Sequence, residues 1–463
     1  MINYNSNIEN LKKYKHIHMI GIGGISMSGI AEILRNWGIF VTGSDTTRSK
    51  ITDRLSSHGI FVSIGHETNL VKKADLVVYS AAVKQDDPEL IEARNNDIPT
   101  IERSDFVGYI TRIYKDTIGI AGTHGKTTTT SMISLCFIEA GLDPTIQVGA
   151  ILKQINGNHR VGNSDYFILE ACEYVESFLK FSPKSTIVLN IDNDHLDYFK
   201  NFDNIKKAFE KYVAILPYDG LLVLNADDPN CLDLRSHSDS KVVTFSIKND
   251  KSNFIARNIT FDDRGCAKFD VYYNNNFYSE MKLSVPGTHN VLNALACIAL
   301  CTEYGINKYD IKSALLKFTG ANRRFELVGS YQNIDVYDDY AHHPSEILAT
   351  ANALKNKKHR QSWIIFQPHT YSRTQSLLDD FAKVLTNFDN IIITDIYAAR
   401  EINTYGISSE DLVNKIHSLG KTAIYISSFD EIAKFIRERA CPHDIILTVG
   451  AGTVTEIGRK ILN

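Results

Sequence analysis

The chain lacks the features of a secreted or membrane-spanning protein. Seven cysteines are scattered over 463 residues without a Cys-x-x-Cys pair, and such usage is typical of a reducing compartment. The uninterrupted apolar runs are far shorter than the roughly 20 residues that cross a bilayer, and the N-terminal segment has no apolar signal-peptide core. We therefore expect a cytoplasmic protein without membrane insertion.

Excess positive charge is also missing. Fifty lysines and arginines stand against 54 acidic residues, which gives a net charge of -4 without any basic stripe. A nucleic-acid partner is therefore not expected. Apolar residues make up 43% of the chain, enough for ordinary cores, and the length suggests two to four domains of roughly 150 residues.

Buried-strand runs alternate with helical patterns in three successive blocks. Examples are His18–Ile22 before a helix, Thr186–Asn190 in the second block and Trp363–Phe366 in the third. This alternation predicts an α/β fold with parallel, doubly wound sheets. We predict three domains, at residues 1–112, 113–320 and 321–463, the first and last Rossmann-like. Residues 248–285 alternate differently and suggest an antiparallel insertion.

The segment that gives the strongest indication of a ligand site follows the apolar run at 118–121 and precedes a helical pattern. It consists of Gly122, Thr123, His124, Gly125, Lys126, Thr127 and Thr128. A strand, a glycine turn and a helix start bind phosphate through backbone N–H groups, while the lysine adds charge and the first threonine offers a hydroxyl to Mg²⁺. Ile120 stands where the usual P-loop has its first glycine, so the loop is a shortened form.

A second glycine loop opens the chain, with Gly21, Gly23 and Gly24 between a strand and a helix. Asp45 ends the next strand, where a ribose partner would lie, but Ser26 replaces the last glycine of the dinucleotide pattern. From the residues alone, NAD binding, binding of another nucleotide diphosphate and a structural turn are equally open.

Acids and a histidine follow two strands of the second block. Glu170 ends one strand, and His195 lies in the acidic segment after the next. A carboxylate at such a strand end beside a phosphate loop suits Mg²⁺, so we favour a metal or phosphate role for both. Glu173 and Glu176 are alternatives, which the pattern also allows to be solvated helix charges.

Further polar clusters stand at a helix start and at the ends of third-block strands, where ligands of open α/β sheets gather. The members are His289, Asn290, Asn293, Arg324, Asp339, Tyr340, His342, His369 and Arg373. The first three are as well explained by helix capping as by base contacts, and a surface ion pair would also explain the arginine.

Taken in order, these segments resemble the Mur ligases, the ATP-dependent amide ligases of peptidoglycan assembly. The similarity covers nearly the whole chain and includes the shortened loop, His18–Gly29, Asp338–Pro344, Phe366–Arg373 and Val449–Val454. Within the family, the pattern is most similar to members that join L-alanine to the carboxylate of UDP-N-acetylmuramate. The resemblance implies an acyl-phosphate intermediate, ATP and Mg²⁺, small-molecule partners only, and a monomer or weak dimer.

The resemblance also implies a role for each candidate residue. The catalytic group would be Lys126, His195, His342, His369 and Arg373. ATP would be bound by residues 122–128, His289, Asn290, Asn293, Arg324 and Asp339; Mg²⁺ by Thr127, Glu170 and His195; the UDP-substrate by Gly21, Gly23, Gly24, Ser26, Asp45 and Ser80; and the amino acid by Tyr340, His342, His369 and Arg373.

Two positions depart from the family pattern, since Cys172 replaces an acid after Glu170 and Thr370 replaces an arginine before Arg373. The nearest alternative is the recycling ligase that adds a whole tripeptide to the same sugar nucleotide, but its opening tends to read G-I-C-G. Folylpolyglutamate synthases lack the N-terminal domain. An NAD-dependent dehydrogenase and a non-catalytic nucleotide-gated binding protein are the alternatives from other classes.

Overall fold

The computed structural model describes residues 11–399 and 401–463, so the first ten residues of the segment inspected for a signal peptide lie outside it. Two compact units result. The first comprises the chain up to Asn193 with Tyr198–Val243, and the second comprises Asp194–Asp197 with Thr244–Asn463. Within the described ranges, no helix is both long and apolar enough to cross a membrane. The domain boundaries at 112 and 320 stay predictions.

The first unit opens with a parallel five-stranded sheet in the order β3-β2-β1-β4-β5. Because β1 lies between β2 and β4, the loop that follows it emerges between the carboxyl ends of both neighbours. The elements are β1 (His16–Ile20), α1 (Ile25–Asn36), β2 (Phe40–Asp45), α2 (Lys50–Ser57), β3 (Phe61–Ile64), α3 (Thr68–Val71), β4 (Leu76–Tyr79), α4 (Pro88–Asn95), β5 (Thr100–Glu102) and α5 (Arg103–Ile113).

A second sheet of this unit has the order β12-β11-β10-β6-β9-β7-β8, with β8 antiparallel to β7. The strand β6, which leads into the phosphate loop, lies between β10 and β9. The elements are β6 (Asp116–Ala121), α6 (Lys126–Glu139), β7 (Thr145–Leu152), β8 (Gly157–Arg160), β9 (Tyr166–Glu170), β10 (Ser185–Val188), α7 (Leu196–Phe199), α8 (Phe202–Val213), β11 (Leu221–Asn225), α9 (Pro229–Asp233) and β12 (Lys241–Ser246). Both α7 and β12 extend across the boundary between the units.

The second unit begins with the antiparallel strands β13, β14 and β15, which confirms the predicted antiparallel insertion. Its last sheet has the order β16-β17-β21-β18-β19-β20 and is parallel except for β16. The elements are β13 (Phe254–Phe261), β14 (Cys266–Tyr273), β15 (Asn276–Pro286), α10 (Thr288–Glu303), α11 (Lys308–Lys317), β16 (Glu326–Tyr331), β17 (Ile334–Asp339), α12 (Pro344–Lys355), β18 (Ser362–Phe366), α13 (Tyr371–Ser376), α14 (Leu378–Leu385), β19 (Asn390–Ile393), α15 (Ser409–Ser418), β20 (Ala423–Tyr425), α16 (Phe429–Arg439), β21 (Ile445–Val449) and α17 (Thr455–Leu462).

The strand β18 lies inside this sheet and is buried along its whole length. Ile364 and Phe366 belong to the core on one face, together with helix residue Phe381. Ile365 belongs to the core on the other face, together with Ile432. A parallel strand covered by helices on both faces reads as a continuous apolar run, so the polar residues after it must lie at the sheet edge. The predicted α/β class with parallel sheets is confirmed.

Candidate active site

The phosphate loop has the backbone geometry that the sequence predicts. Gly122 has φ +133°, and a Cβ there would lie 3.0–3.2 Å from the Cβ and backbone nitrogen of Leu189 and the backbone nitrogen of Asn190. Gly125 has φ +85° and precedes α6, whose start has no side-chain cap. Glycine alone tolerates both conditions. The first N–H groups of α6 are therefore left for an anion, and the loop fits a nucleotide phosphate.

The segment after β10 holds this loop in shape. The amide of His124 donates to Oδ1 of Asn190 at 2.7 Å, and Asn190 Nδ2 donates back to the His124 carbonyl at 3.0 Å. The amide of Asp192 donates to the Thr123 hydroxyl at 2.9 Å, and Asp192 Oδ2 lies 3.0 Å from His124 Nε2. Thr123 and His124 thus support the loop. The sequence showed Asn190 and Asp192 only as polar residues after a strand.

Lys126 is buried against a carboxylate. Its Nζ donates to the carbonyls of Gly122 at 2.5 Å and Thr123 at 3.0 Å, and lies 2.9 and 3.1 Å from the two Glu173 oxygens. Burial lowers the pKa of Lys126, but Glu173 more than offsets this and raises it above its usual value. The reading of Glu173 as a solvated helix charge is wrong, because its side chain is only 3% exposed.

Glu170 lies near the phosphate loop, and its metal role remains a prediction. It is the register partner of Ile120 on the neighbouring strand, two residues before the phosphate loop begins. Its Oε1 accepts the amide of Gly149 at 2.5 Å, and among the residues that the structure describes Oε2 has no hydrogen-bond partner. A carboxylate oxygen and a threonine hydroxyl are oxygen donors of the kind that Mg²⁺ prefers. The oxygen atoms of Glu170 and Thr127 are therefore chemically suited to Mg²⁺.

The backbone of the first glycine loop is hydrogen-bonded to Asp45, the acid at the end of β2. The amide of Gly23 donates to Asp45 Oδ2 at 2.8 Å, and a Cβ on Gly23 would lie 2.7 Å from the same oxygen. Gly21 has φ +77°, and a Cβ there would lie 3.1 Å from the Ser80 hydroxyl. The structure therefore brings Gly21, Gly23, Asp45 and Ser80 together, although Asp45 contacts the loop backbone itself.

Two side chains from the second sheet of the same unit hold the start of α1. Gln147 Nε2 donates to the Ser26 hydroxyl at 2.6 Å, and Asn158 Nδ2 donates to the Ile25 carbonyl at 2.7 Å. Arg103 Nη1 also reaches the Ser26 hydroxyl, at 3.3 Å. Sequence reasoning missed these residues, because amides more than a hundred positions away leave no local signal.

In the second unit, the predicted adenine residues lie at the start of α10. Asn290 Nδ2 donates to the carbonyl of Pro286 at 2.7 Å, and Asn293 Nδ2 donates to Asn290 Oδ1 at 3.1 Å. Burial, with a smaller contribution from Arg324, lowers the pKa of His289 to about 4. A neutral imidazole is compatible with a base contact, and such contacts remain a prediction for all three.

The arginine pair packs on Tyr340. The guanidinium carbons of Arg323 and Arg324 lie 5.0 and 5.4 Å from its ring centre, within cation–π range. Arg323 is anchored at 2.9 Å to Asp338, whereas Arg324 lies 3.9 Å from Glu346, a looser ion pair. Of the two arginines, Arg324 has the less tightly paired guanidinium, which is therefore better able to bind a phosphate.

Asp339 lies deeper, behind Tyr340. Its Oδ2 accepts the hydroxyl of Thr350 at 2.5 Å, and its Oδ1 accepts the amide of Ala341 at 3.2 Å. Burial raises its pKa to about 6, against the smaller lowering effect of these hydrogen bonds. The carboxylate is therefore held in a fixed orientation, and its predicted contact with the ATP ribose remains a prediction.

The histidine–arginine cluster assembles from the segments that follow β17 and β18 and from the short segment at 194–197. The ring centres of His342 and His369 lie 5.7 Å apart. Arg373 Nη1 donates to His369 Nδ1 at 3.1 Å, and its Nη2 donates to Asp194 Oδ1 at 3.0 Å. The structure thus brings together all the predicted amino-acid-binding residues, since Tyr340 lies 5.4 Å from the His342 ring. Asp194 was not predicted.

Hydrogen bonds distinguish the two candidate bases. Because arginine only donates, His369 Nδ1 must accept, and the neutral ring carries its proton on Nε2. In His342, Nδ1 lies 3.0 Å from the Tyr340 carbonyl and must donate, which leaves a lone pair on Nε2. Burial lowers the pKa of both histidines, that of His369 to about 4. His342 is therefore the better placed proton acceptor.

His195 belongs to the second unit, beside Asp194. Its amide donates to Asp194 Oδ1 at 2.7 Å, and it has φ +54°. Burial raises the pKa of Asp194, but Arg373 first and His195 next outweigh it, so the pKa is well below its usual range. The metal role of His195 remains a prediction.

Comparison with known proteins gives matches along nearly the whole chain. Three family models match the chain in order: the Mur ligase family catalytic domain at 16–115, the Mur ligase middle domain at 120–301 and the Mur ligase glutamate ligase domain at 323–452. A UDP-N-acetylmuramate–L-alanine ligase of Acetivibrio thermocellus is 48% identical over 97% of this chain and 96% of its own length.

Solved structures show the same order of domains. The UDP-N-acetylmuramate–alanine ligase of Thermotoga maritima is 32% identical, with a TM-score of 0.82 over 97% of this chain and 98% of that one. A murein peptide ligase of Psychrobacter arcticus is 26% identical, with a TM-score of 0.71 over 97% and 98%. The chain therefore belongs to the Mur ligase family and has its three α/β domains.

Proposed function

We propose that this chain joins L-alanine to the carboxylate of UDP-N-acetylmuramate, with ATP converted to ADP and phosphate, in cytoplasmic peptidoglycan precursor synthesis. The observation that carries the proposal is the 48% identity, over nearly the full length, to a ligase named for these two substrates. The identity to the murein peptide ligase is 26%, so addition of a tripeptide is the second candidate. The phosphate loop and the histidine–arginine cluster supply the chemistry.

The first step activates a poor acyl donor. An oxygen of the muramate carboxylate attacks the γ-phosphorus of ATP, the bond to the bridging oxygen breaks, and ADP leaves an acyl phosphate behind. Two anions must meet, so the barrier is largely electrostatic. Lys126 and Arg324 offset the repulsion. Thr127 and Glu170 would hold Mg²⁺, with His195 at a second ion, and the metal would supply additional positive charge at the phosphates.

The second step forms the amide. The nitrogen of L-alanine attacks the acyl carbon, the carbon–oxygen bond to phosphate breaks, and phosphate departs with the electron pair. The nitrogen must lose a proton, and Nε2 of His342 is the acceptor with an available lone pair. Arg373, held by Asp194, and His369 orient the carboxylate of the amino acid beside Tyr340.

The substrates occupy the remaining predicted sites. The UDP diphosphate lies at the start of α1 over Gly21, Gly23 and Gly24, with Ser26, Asp45 and Ser80 around it. The adenine lies beside His289, Asn290 and Asn293, and Asp339 meets the ribose. We expect a monomer or weak dimer.

The test is phosphate release from ATP and Mg²⁺ with UDP-N-acetylmuramate, comparing L-alanine, other amino acids, the tripeptide and no acceptor. Release that requires both the sugar nucleotide and L-alanine supports the proposal. Release only with the tripeptide moves the chain to the recycling reaction. If none of the acceptors gives phosphate release, both candidate functions are refuted.

A lysine variant tests the loop. Lys126→Ala is expected to abolish turnover while binding of UDP-N-acetylmuramate stays largely intact, because the two glycine loops are separate sites. Lys211→Ala is the matched control, since Lys211 is 61% exposed and pairs only with Glu176 at 3.1 Å among the groups described. Near-normal turnover by Lys126→Ala would show that the loop assignment is wrong.

A further inference from the structure

The ammonium group of Lys126 has no donor to spare. It has three N–H groups, and three acceptors take them: the Gly122 carbonyl at 2.5 Å, the Thr123 carbonyl at 3.0 Å and the Glu173 carboxylate at 2.9 Å. A nucleotide phosphate can bind this lysine only by displacing or sharing one of these acceptors. The two carbonyls belong to the loop itself, so the exchangeable acceptor is Glu173.

Hydrogen bonds fix the backbone turn that carries the Glu173 carboxylate. The Ser177 hydroxyl donates to the carbonyls of Cys172 at 2.9 Å and Tyr174 at 3.0 Å, on either side of Glu173. The Glu176 amide donates to the Glu173 carbonyl at 2.8 Å. The turn continues through left-handed backbone at Val175 and Glu176, with φ +50° and +54°. A buried acid in such a braced turn stays near Lys126 when the lysine engages another anion.

We propose that Glu173 is a positioning residue that acts as an internal anion: it occupies the third donor of Lys126 between turnovers and weakens the binding of ADP and phosphate. The inference rests on the nucleotide site of the proposed function and adds a residue to it. Glu173 aims the ammonium into the loop, and its charge opposes any phosphate that joins the same ammonium. Product release is thereby favoured.

The sign of the effect follows from electrostatics. A carboxylate and a phosphate that share one ammonium lie a few Å apart, and like charges at such distances repel appreciably even at an effective dielectric constant of about 20. Glu173→Gln keeps the shape and an acceptor oxygen but removes the charge. We expect this variant to bind Mg²⁺–ADP about tenfold more tightly than the wild type in calorimetric titration.

A purely structural role for Glu173 predicts the opposite sign. Loss of a brace would loosen Lys126, so Mg²⁺–ADP would bind equally well or more weakly, and either result overturns the proposal. Glu173→Asp guards against misfolding of the amide variant. Its carboxylate is one methylene shorter, so we expect a smaller increase in affinity, of about two- to threefold, and no increase would also overturn the proposal.

The matched control is Glu176→Gln. This acid lies three residues away in the same turn but pairs with the exposed Lys211, and its ADP affinity should equal that of the wild type. Lys126→Ala distinguishes failure of the nucleotide-site assignment from failure of the internal-anion proposal. If it weakens ADP binding while Glu173→Gln does not tighten it, the nucleotide site stands and the internal anion is refuted. If neither wild type nor Glu173→Gln binds ADP, both are refuted.

Discussion

Thr370 has a backbone conformation that β-branched residues avoid. It lies between His369 and α13 with φ +65° and ψ 148°, close to a region that essentially only glycine populates. Its amide donates to the Tyr397 carbonyl at 3.0 Å, and the Tyr397 ring stacks on His369 at 5.8 Å. The strained residue therefore helps to place His369, and Thr370→Gly is the perturbation that removes the strain.

The expected gain in stability can be worked out from three contributions. Relief of the backbone strain stabilises the variant by about 1–3 kcal/mol. The additional flexibility of glycine in the unfolded chain costs about 0.5–1 kcal/mol. The Thr370 hydroxyl lies 3.3 Å from Ser372 Oγ and also donates to the Glu401 carboxylate, and loss of these contacts costs roughly 0.5–1 kcal/mol. Taking the middle of each range, the net gain in the free energy of unfolding is about 0.5 kcal/mol.

The chain offers a local probe for this measurement. It has two tryptophans, and Trp363 is buried in the C-terminal sheet with Nε1 bonded to Asp444 at 3.0 Å. In a Trp37→Phe background, urea unfolding followed by fluorescence reports on that sheet alone. Thr370→Gly should raise the midpoint and lower kcat severalfold, since His369 loses its fixed position. A lower midpoint would refute the reasoning about strain.

The remaining predictions concern charge. His342→Gln should lower kcat at least a hundredfold, and the acidic limb of the wild-type kcat/KM profile should lie below pH 6.5, because burial lowers the pKa of His342. Asp339 has its folded-state pKa raised to about 6, so wild-type stability falls as pH rises from about 4 to 6. Asp339→Asn should therefore be more stable at pH 7 by about 1–3 kcal/mol, with no gain below pH 4; equal gains at both pH values would contradict this. Asp194→Asn removes the carboxylate that neutralises the largely buried guanidinium of Arg373. The free energy of unfolding in urea should fall by about 2–4 kcal/mol. Asp430→Asn, in an exposed pair, should cost under about 0.5 kcal/mol.

Local patterns were sufficient for much of the active site. The phosphate loop follows from a strand, two glycines and a helix start within ten residues, and each part has its own backbone requirement. The residues after β17 and β18 were placed correctly as a cluster, because parallel strands end at a common edge of their sheet. The same rule placed Glu170 beside the phosphate loop.

Other features depend on contacts between distant segments. Glu173 was readable as a solvated charge because nothing near it in the sequence indicates that Lys126 lies 2.9 Å away. Gln147 and Asn158 hold the first glycine loop from another sheet. His342 and His369 are equivalent in sequence as candidate bases. Only the partner of each Nδ1, a carbonyl in one and a guanidinium in the other, decides which ring has the lone pair available.

The sequence by itself determined the class of sheet, the phosphate loop, the family resemblance and the set of residues at the strand ends. These depend on periodicity and on local backbone requirements, which a linear chain displays directly. Tertiary structure alone decided which charges are buried together, which histidine can accept a proton and which acid holds the loop lysine. Protonation and ion pairing depend on distances of about 3 Å between residues far apart in the chain, and those distances exist only once the sheets have packed.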